Sequence, residues 1–174
     1  MDSKAAVFYS MYAEAFRYPL PGSLKKLAAG LAALPVGSDK QPLAAFVEQV
    51  GRLTLGEWEE LYTRTLDMNP PAAPYIGFQI WGESYQRGEF LAHMSREIID
   101  NHIDPEGELP DHLIPVLRYL ARADQPIPEL TSALQPALQR MIAALGKVES
   151  ANPYLILLNG ILTLSKNRVA KEAA

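Results

Sequence analysis

Pro128-Glu129-Leu130-Thr131-Ser132-Ala133-Leu134-Gln135-Pro136-Ala137-Leu138-Gln139-Arg140-Met141-Ile142-Ala143-Ala144-Leu145 is the stretch that decides the fold class. Leu130, Leu134, Leu138, Met141 and Leu145 recur at intervals of three and four, the spacing of one helical stripe and not the alternation of a strand. Pro128 stands where the first helical turn tolerates a residue without an N–H, and Pro136 predicts a kink unless the helix starts after it. Pro153 opens a second helix in the same way, with the stripe Leu155, Leu158 and Leu162. Upstream, Leu24, Leu27, Leu31 and Leu34 line one side of a helix over 23–34 that leaves Lys25 and Lys26 outward and stops at Pro35.

Ser38 with Gln41, and Thr54 with Glu57, fit the capping box, so helices are expected to start near 39 and 55, each cap contributing about 1 kcal/mol. One helix is expected from Tyr75 or Gly82 through Ile103 and another from Pro110. Asp104-Pro105-Glu106-Gly107-Glu108 between them reads as a turn or hinge. The three prolines of Asp67-Met68-Asn69-Pro70-Pro71-Ala72-Ala73-Pro74 predict a rigid, shaped loop. Leu outnumbers Val and Ile together, and no stretch reads as a strand. The sum is an all-α fold, a single-domain irregular bundle of roughly seven or eight helices over residues 1–165 with a frayed tail over 166–174.

A chain of 174 residues that is 48% hydrophobic is long enough for one core and short for two. Its net charge of -4 and pI near 5.4 argue against nucleic acid, which demands a surplus of Lys and Arg. With 0 Cys there is no disulfide, thiolate metal site, iron–sulfur cluster or cysteine nucleophile. Its apolar stretches fall short of the roughly 18 residues of a membrane span, and Met1 to Tyr9 lack a charged leader with an unbroken apolar run. A cytoplasmic protein with no direct membrane insertion is expected.

Signals for catalysis are sparse. His93, His102 and His112 have no glycine-flanked serine of the nucleophile-elbow type near them, and no phosphate-cradling Gly-Lys loop is present. Glu89, His93 and Glu97 are four apart and share a helix face, which fits a metal site less well than a solvated charge ladder. No metal site and no catalytic residue is predicted; the alternative is a helical metal- or nucleotide-binding enzyme. Charge is uneven: residues 57–111 hold 12 acids and 3 bases, net -9, while the remainder is net +5. Tyr62, Tyr75, Phe78, Trp81, Tyr85 and Phe90 interleave with those acids. An acidic, aromatic groove suits a basic, apolar peptide; equally, the acids could be solvated helix faces and the rings core.

Two stretches in that segment carry a resemblance. The first is Leu61-Tyr62-Thr63-Arg64-Thr65-Leu66-Asp67-Met68-Asn69-Pro70, then Pro74-Tyr75, then Trp81-Gly82-Glu83-Ser84-Tyr85-Gln86-Arg87-Gly88-Glu89-Phe90-Leu91. The second is Glu108-Leu109-Pro110-Asp111-His112-Leu113. In order and spacing they resemble the TorD/DmsD/NarJ family of molybdoenzyme assembly chaperones, also called nitrate reductase delta subunit-like or redox enzyme maturation proteins. Trp81, Tyr85 and Arg118 depart from common residues of that pattern.

The resemblance implies an all-helical cytoplasmic chaperone, not an enzyme. Such a protein binds the N-terminal region or twin-arginine signal peptide of a molybdopterin oxidoreductase catalytic subunit and assists cofactor insertion before export or membrane attachment. It implies no stably bound cofactor, only transient contact with the molybdopterin cofactor through the client, and a monomer or domain-swapped dimer. Asp111 and His112 match the signature pair at the client-binding surface, and Tyr62, Asp67, Tyr75, Gly82, Glu83, Arg87 and Gly88 match the first motif. With Trp81 and Tyr85, the candidate client-binding residues are Tyr62, Asp67, Tyr75, Trp81, Glu83, Tyr85, Arg87, Asp111 and His112. Arg87 is expected to pair internally with Glu83 or Asp67, Asp67 to cap a helix or hold the proline loop, and Gly82 and Gly88 to be packing or turn positions. Asp111 and His112 are expected on an exposed first turn, where replacing both with Ala would spare the fold.

Overall fold

The structure, a computed structural model, describes residues 3–68 and 72–172. Among these residues the chain forms nine α-helices: α1 (Ser3–Ala15), α2 (Ser23–Ala33), α3 (Gln41–Val50), α4 (Leu55–Tyr62), α5 (Ile76–Trp81), α6 (Tyr85–Asp100), α7 (Leu113–Arg122), α8 (Pro128–Val148) and α9 (Pro153–Glu172). A 3-10 turn, Ser38–Lys40, leads into α3, and a π-helical stretch, Thr63–Asp67, prolongs α4. The fold is all-α, and the only β pairing among the described residues is one isolated antiparallel bridge between Tyr75 and His112.

The helix starts follow local chemistry. Thr54 and Glu57 form the expected capping box, with the Glu57 N–H donating to Thr54 Oγ1 at 3.3 Å and the Thr54 N–H to Glu57 Oε2 at 2.7 Å. The Ser38–Gln41 box does not form: Pro42, pre-set for a first turn, starts α3 at Gln41, and Ser38 heads the 3-10 turn instead. α8 and α9 begin at Pro128 and Pro153 as expected, and α8 continues through Pro136 as one helix.

Three boundaries differ from the sequence reading. The helix expected from Tyr75 or Gly82 through Ile103 is two helices, because Gly82 has φ 60° and ψ -149°, a conformation that side chains with a Cβ rarely adopt. Ser84 then starts α6 afresh by accepting from the Arg87 N–H at 3.4 Å. The helix expected from Pro110 begins at Leu113, since His112 provides its N-cap. The tail expected to fray at 166 stays helical to Glu172, as Lys, Arg and Ala there favour helix and no Gly or Pro interrupts them. The split at Gly82 also brings the helix count to nine, above the seven or eight expected. Asn69, Pro70 and Pro71 of the expected proline loop lie outside the described residues.

Helix α7 is the centre of the core: Leu113, Ile114, Val116, Leu117, Tyr119 and Leu120 are all buried, each such side chain contributing about 1.5–3 kcal/mol. It packs along α1, whose Phe8, Tyr9 and Tyr12 are buried. On the other side α9 packs on α3 and α8, and α8 on α5. Tyr154 at the start of α9 sits among the rings of Phe16, Phe46 and Tyr62, with centroids 5.8, 5.2 and 6.1 Å away, and accepts a hydrogen bond from Trp58 Nε1 at 3.1 Å. That aromatic floor carries Tyr62, the last residue of α4, toward the two motif stretches.

Candidate functional site

The two motif stretches are joined by their backbones through residues more than thirty positions apart in the chain. The Ile76 N–H donates to the Asp111 carbonyl and the Leu113 N–H to the Pro74 carbonyl, both at 2.8 Å, which closes the single bridge. The bridge sets the Tyr75 ring edge-on to the His112 imidazole, centroids 5.0 Å apart. From α6, Arg87 reaches the same place and pairs through a two-pronged contact with Asp111, Nε to Oδ2 at 2.9 Å and Nη2 to Oδ1 at 3.3 Å. Its guanidinium lies 5.8 Å from the Tyr75 ring centroid and 5.4 Å from that of Phe78. Gly77 makes the approach possible, because a Cβ there would fall 2.8 Å from Asp111 Oδ2 and 2.9 Å from Phe90.

This geometry corrects the reading of Asp111 and His112 as an exposed pair. The Asp111 side chain is 0% exposed, and its partner Arg87 only 15%. His112 is buried, and its Nδ1 accepts the Ile114 N–H at 3.1 Å as the N-cap of α7. Nδ1 therefore carries no proton, and burial pushes the imidazole down to about 4 against the opposing pull of Asp111. Arg87 is paired internally, as expected, but with Asp111 and not with Glu83 or Asp67. Asp111, His112 and Arg87 are thus the frame beneath the site, and a double replacement of Asp111 and His112 with Ala would damage the fold.

The accessible chemistry lies beside this frame. The π-helical turn, in which the Met68 N–H reaches back to the Thr63 carbonyl at 2.9 Å, ends on Asp67. Tyr75 donates its hydroxyl to Glu108 Oε2 at 3.1 Å. Burial, with the Glu108 charge adding to it, pushes the Tyr75 hydroxyl up to about 12. Burial also raises the Tyr62 hydroxyl, as do the charges of Asp67 and Glu108. Partial burial, and then the neighbouring Glu108, hold the Asp67 carboxyl above the usual carboxylate range. Tyr18, from the segment after α1, lies edge-on to Tyr62 at 5.2 Å. Among the described residues no Lys, Arg or His pairs with Asp67 or Glu108. Two carboxylates with the Tyr75 and Tyr18 rings, around the buried Tyr62, therefore form one acidic mouth, a surface suited to a cation carried on an apolar chain.

Tyr62, Asp67 and Tyr75 are brought together here; Trp81, Glu83 and Tyr85 are not joined to the group by any hydrogen bond or ring contact among the described residues. Trp81 packs on Phe90 at 5.1 Å, Glu83 is exposed in the turn before α6, and the Tyr85 side chain stands out into solvent. Sequence reasoning did not place Tyr18 or Glu108 in the site. Tyr18 could have been suspected as an aromatic between Arg17 and Pro19, past the end of a helix, and Glu108 as an acid leading the second motif. Glu89, His93 and Glu97 diverge: His93 Nδ1 meets Glu129 at 3.0 Å, and Glu97 accepts from the Tyr119 hydroxyl at 2.7 Å. Among the described residues no group of three such side chains could hold a metal ion, and no helix is long and apolar enough to cross a membrane.

A cleft of about 270 Å³ continues from Tyr18 and is lined by Leu20, Leu27 and Trp58, with Glu14, Arg17 and Lys26 at its rim. No family model matches the sequence, and no curated protein matches it.

Proposed function

We propose that the chain is a cytoplasmic, system-specific chaperone of the TorD/NarJ type. It binds the N-terminal region or twin-arginine signal peptide of a molybdopterin oxidoreductase catalytic subunit, assists cofactor insertion and does no chemistry of its own. The observation that carries this reading is the mouth formed by Asp67 and Glu108 over Tyr62, Tyr75 and Tyr18. Asp67, whose carboxyl is held high by partial burial and then by the Glu108 charge, gains from an arriving cation, and the phenol faces of Tyr75 and Tyr18 add attraction for a guanidinium. The cleft beside Tyr18 offers an apolar lining next to that charge, which matches the make-up of a leader with arginines followed by apolar residues.

The test is titration of a fluorescein-labelled peptide bearing two adjacent arginines and three following leucines, against the same peptide with citrulline for arginine. Salt-sensitive binding of the first, weakened at least tenfold in the second, is expected. Equal binding of both would defeat the proposal. Affinity purification from the native host, with mass spectrometry of the retained protein, then identifies the client.

A further inference from the structure

Glu108 sits at the end of a segment that does not hold its own shape. His102 and Glu106 have φ of 52° and 55°, left-handed values uncommon in residues with a Cβ, and Gly107 follows at 83°. Among the described residues, the bonds within the segment are short turn bonds, from the Glu106 N–H to Asp104 Oδ1 at 2.8 Å and from the Glu108 N–H to the Pro105 carbonyl at 3.0 Å.

Its shape is imposed from two helices and their ends. Arg118 on α7 donates to the Asp104 carbonyl at 2.7 Å and to Glu106 Oε1 at 2.6 Å. Arg17, just past α1, meets the other Glu106 oxygen at 3.0 Å. Arg122, one turn beyond Arg118, donates to the carbonyls of Asn101 and His102 at 2.8 and 2.6 Å. Glu14 closes the network, 2.5 Å from Lys26, 3.3 Å from Arg17 and 3.8 Å from Arg118. Burial alone would raise the Glu14 carboxyl, but Lys26, Arg17 and Arg118 outweigh it and hold it below the usual carboxylate range. Glu14 and Glu106 offset part of the charge of Arg17, Lys26 and Arg118, which reduces the direct field of these cations on a bound peptide.

We propose that Arg118, acting with Arg17 through Glu106, is a positioning clamp for Glu108: it keeps that carboxylate on Tyr75 and beside Asp67, so the mouth's affinity for a cationic peptide depends on residues outside the mouth. The clamp rests on the proposed function above, since Glu108 is its output. It differs from a field effect in sign. Removing the Arg118 charge should tighten cationic peptide binding if field alone matters, and weaken it if geometry matters.

The experiment measures the affinity of the labelled diarginine peptide for the full chain carrying Arg118→Met, which keeps the apolar stem, or Glu106→Gln, each with and without Glu108→Gln. Both single variants are expected to weaken binding about tenfold where Glu108 is intact and less than about twofold where it is Gln, because the effect passes through Glu108. Glu106→Gln carries the test if Arg118→Met lowers the melting temperature. Tighter binding by Arg118→Met, or equal losses in both backgrounds, would overturn the clamp. Glu108→Gln alone without effect would overturn it together with the place of Glu108 in the mouth, whereas failure of the unaltered protein to bind the peptide would overturn the proposed function itself.

Discussion

Asp111 and Asp67 are both aspartates of the motif stretches, and the structure gives them opposite circumstances. Asp111 is fully buried with both oxygens on Arg87, while Asp67 is exposed, lies near Glu108 and has no cation paired with it among the described residues. A fully buried carboxylate with both oxygens on one guanidinium is out of a ligand's reach; its role is to tie α6, through Arg87, to the stretch 111–113. An acid beside another acid is in surplus, and surplus charge is what a cationic partner can use. The contrast teaches that a motif residue's place in the fold and its place in recognition separate by solvation and partner, not by proximity in sequence.

The largest test of that contrast is Asp111→Ala, which strands the Arg87 charge against Tyr75 and Phe78 and is expected to lower the unfolding free energy by about 3–5 kcal/mol in urea denaturation. A loss under 1 kcal/mol would mean the pair is not a support. Next in size is a pH effect of the same frame. His112 is held near 4 in the folded chain against about 6.5 unfolded, so between those values the unfolded state binds the proton and the folded state does not. Its contribution is complete above about 6.5 and lost as pH falls toward 4, a decline of a few kcal/mol. His112→Asn keeps an N-cap acceptor without titrating, so its melting temperature should be flatter than the parent's between pH 6.5 and 4.5. Parallel curves would show that another group titrates there.

The same contrast explains what could be read from the chain alone. The leucine stripes of α2, α8 and α9, the Thr54–Glu57 cap and the prolines at 128 and 153 are local signals, and the structure keeps all of them. Gly82 was noticed as a turn or packing residue, yet only its backbone angles reveal that it cuts one helix into two. The burial of Asp111 and His112 was not legible, because an Asp-His pair after a proline looks like any exposed first turn until Arg87, 24 residues earlier, is brought onto it. Tyr18 could be suspected as an aromatic past a helix end, but its contact with Tyr62, far along the sequence, could not. What stays hidden is what long-range packing decides.

Smaller effects belong to the mouth. Asp67→Asn and Glu108→Gln are each expected to weaken binding of the diarginine peptide about tenfold, roughly 1.4 kcal/mol, while leaving the unfolding midpoint intact. For Asp67 the sign can be sharpened. Its carboxyl is raised in the folded chain, so at neutral pH its charge works against folding, and Asp67→Asn should hold or slightly raise the melting temperature. A clear drop would mean that Asp67 holds the fold as Asp111 does, and the comparison between the two would collapse.

Tyr75→Phe is the finest cut, because Tyr75 belongs to both regions: its ring packs on His112 and Arg87, and its hydroxyl reaches Glu108. Removing one oxygen keeps the ring contacts and deletes one hydrogen bond to a partly exposed carboxylate, worth about 0.5–1.5 kcal/mol at most. If that bond serves mainly to aim Glu108, unfolding should change by less than about 0.5 kcal/mol, while diarginine peptide affinity falls two- to fivefold and its salt dependence softens. If it serves the frame, the loss appears in unfolding and peptide affinity stays unchanged. The two outcomes assign the Tyr75 hydroxyl to one side of the boundary between support and recognition, and that boundary runs through a single side chain.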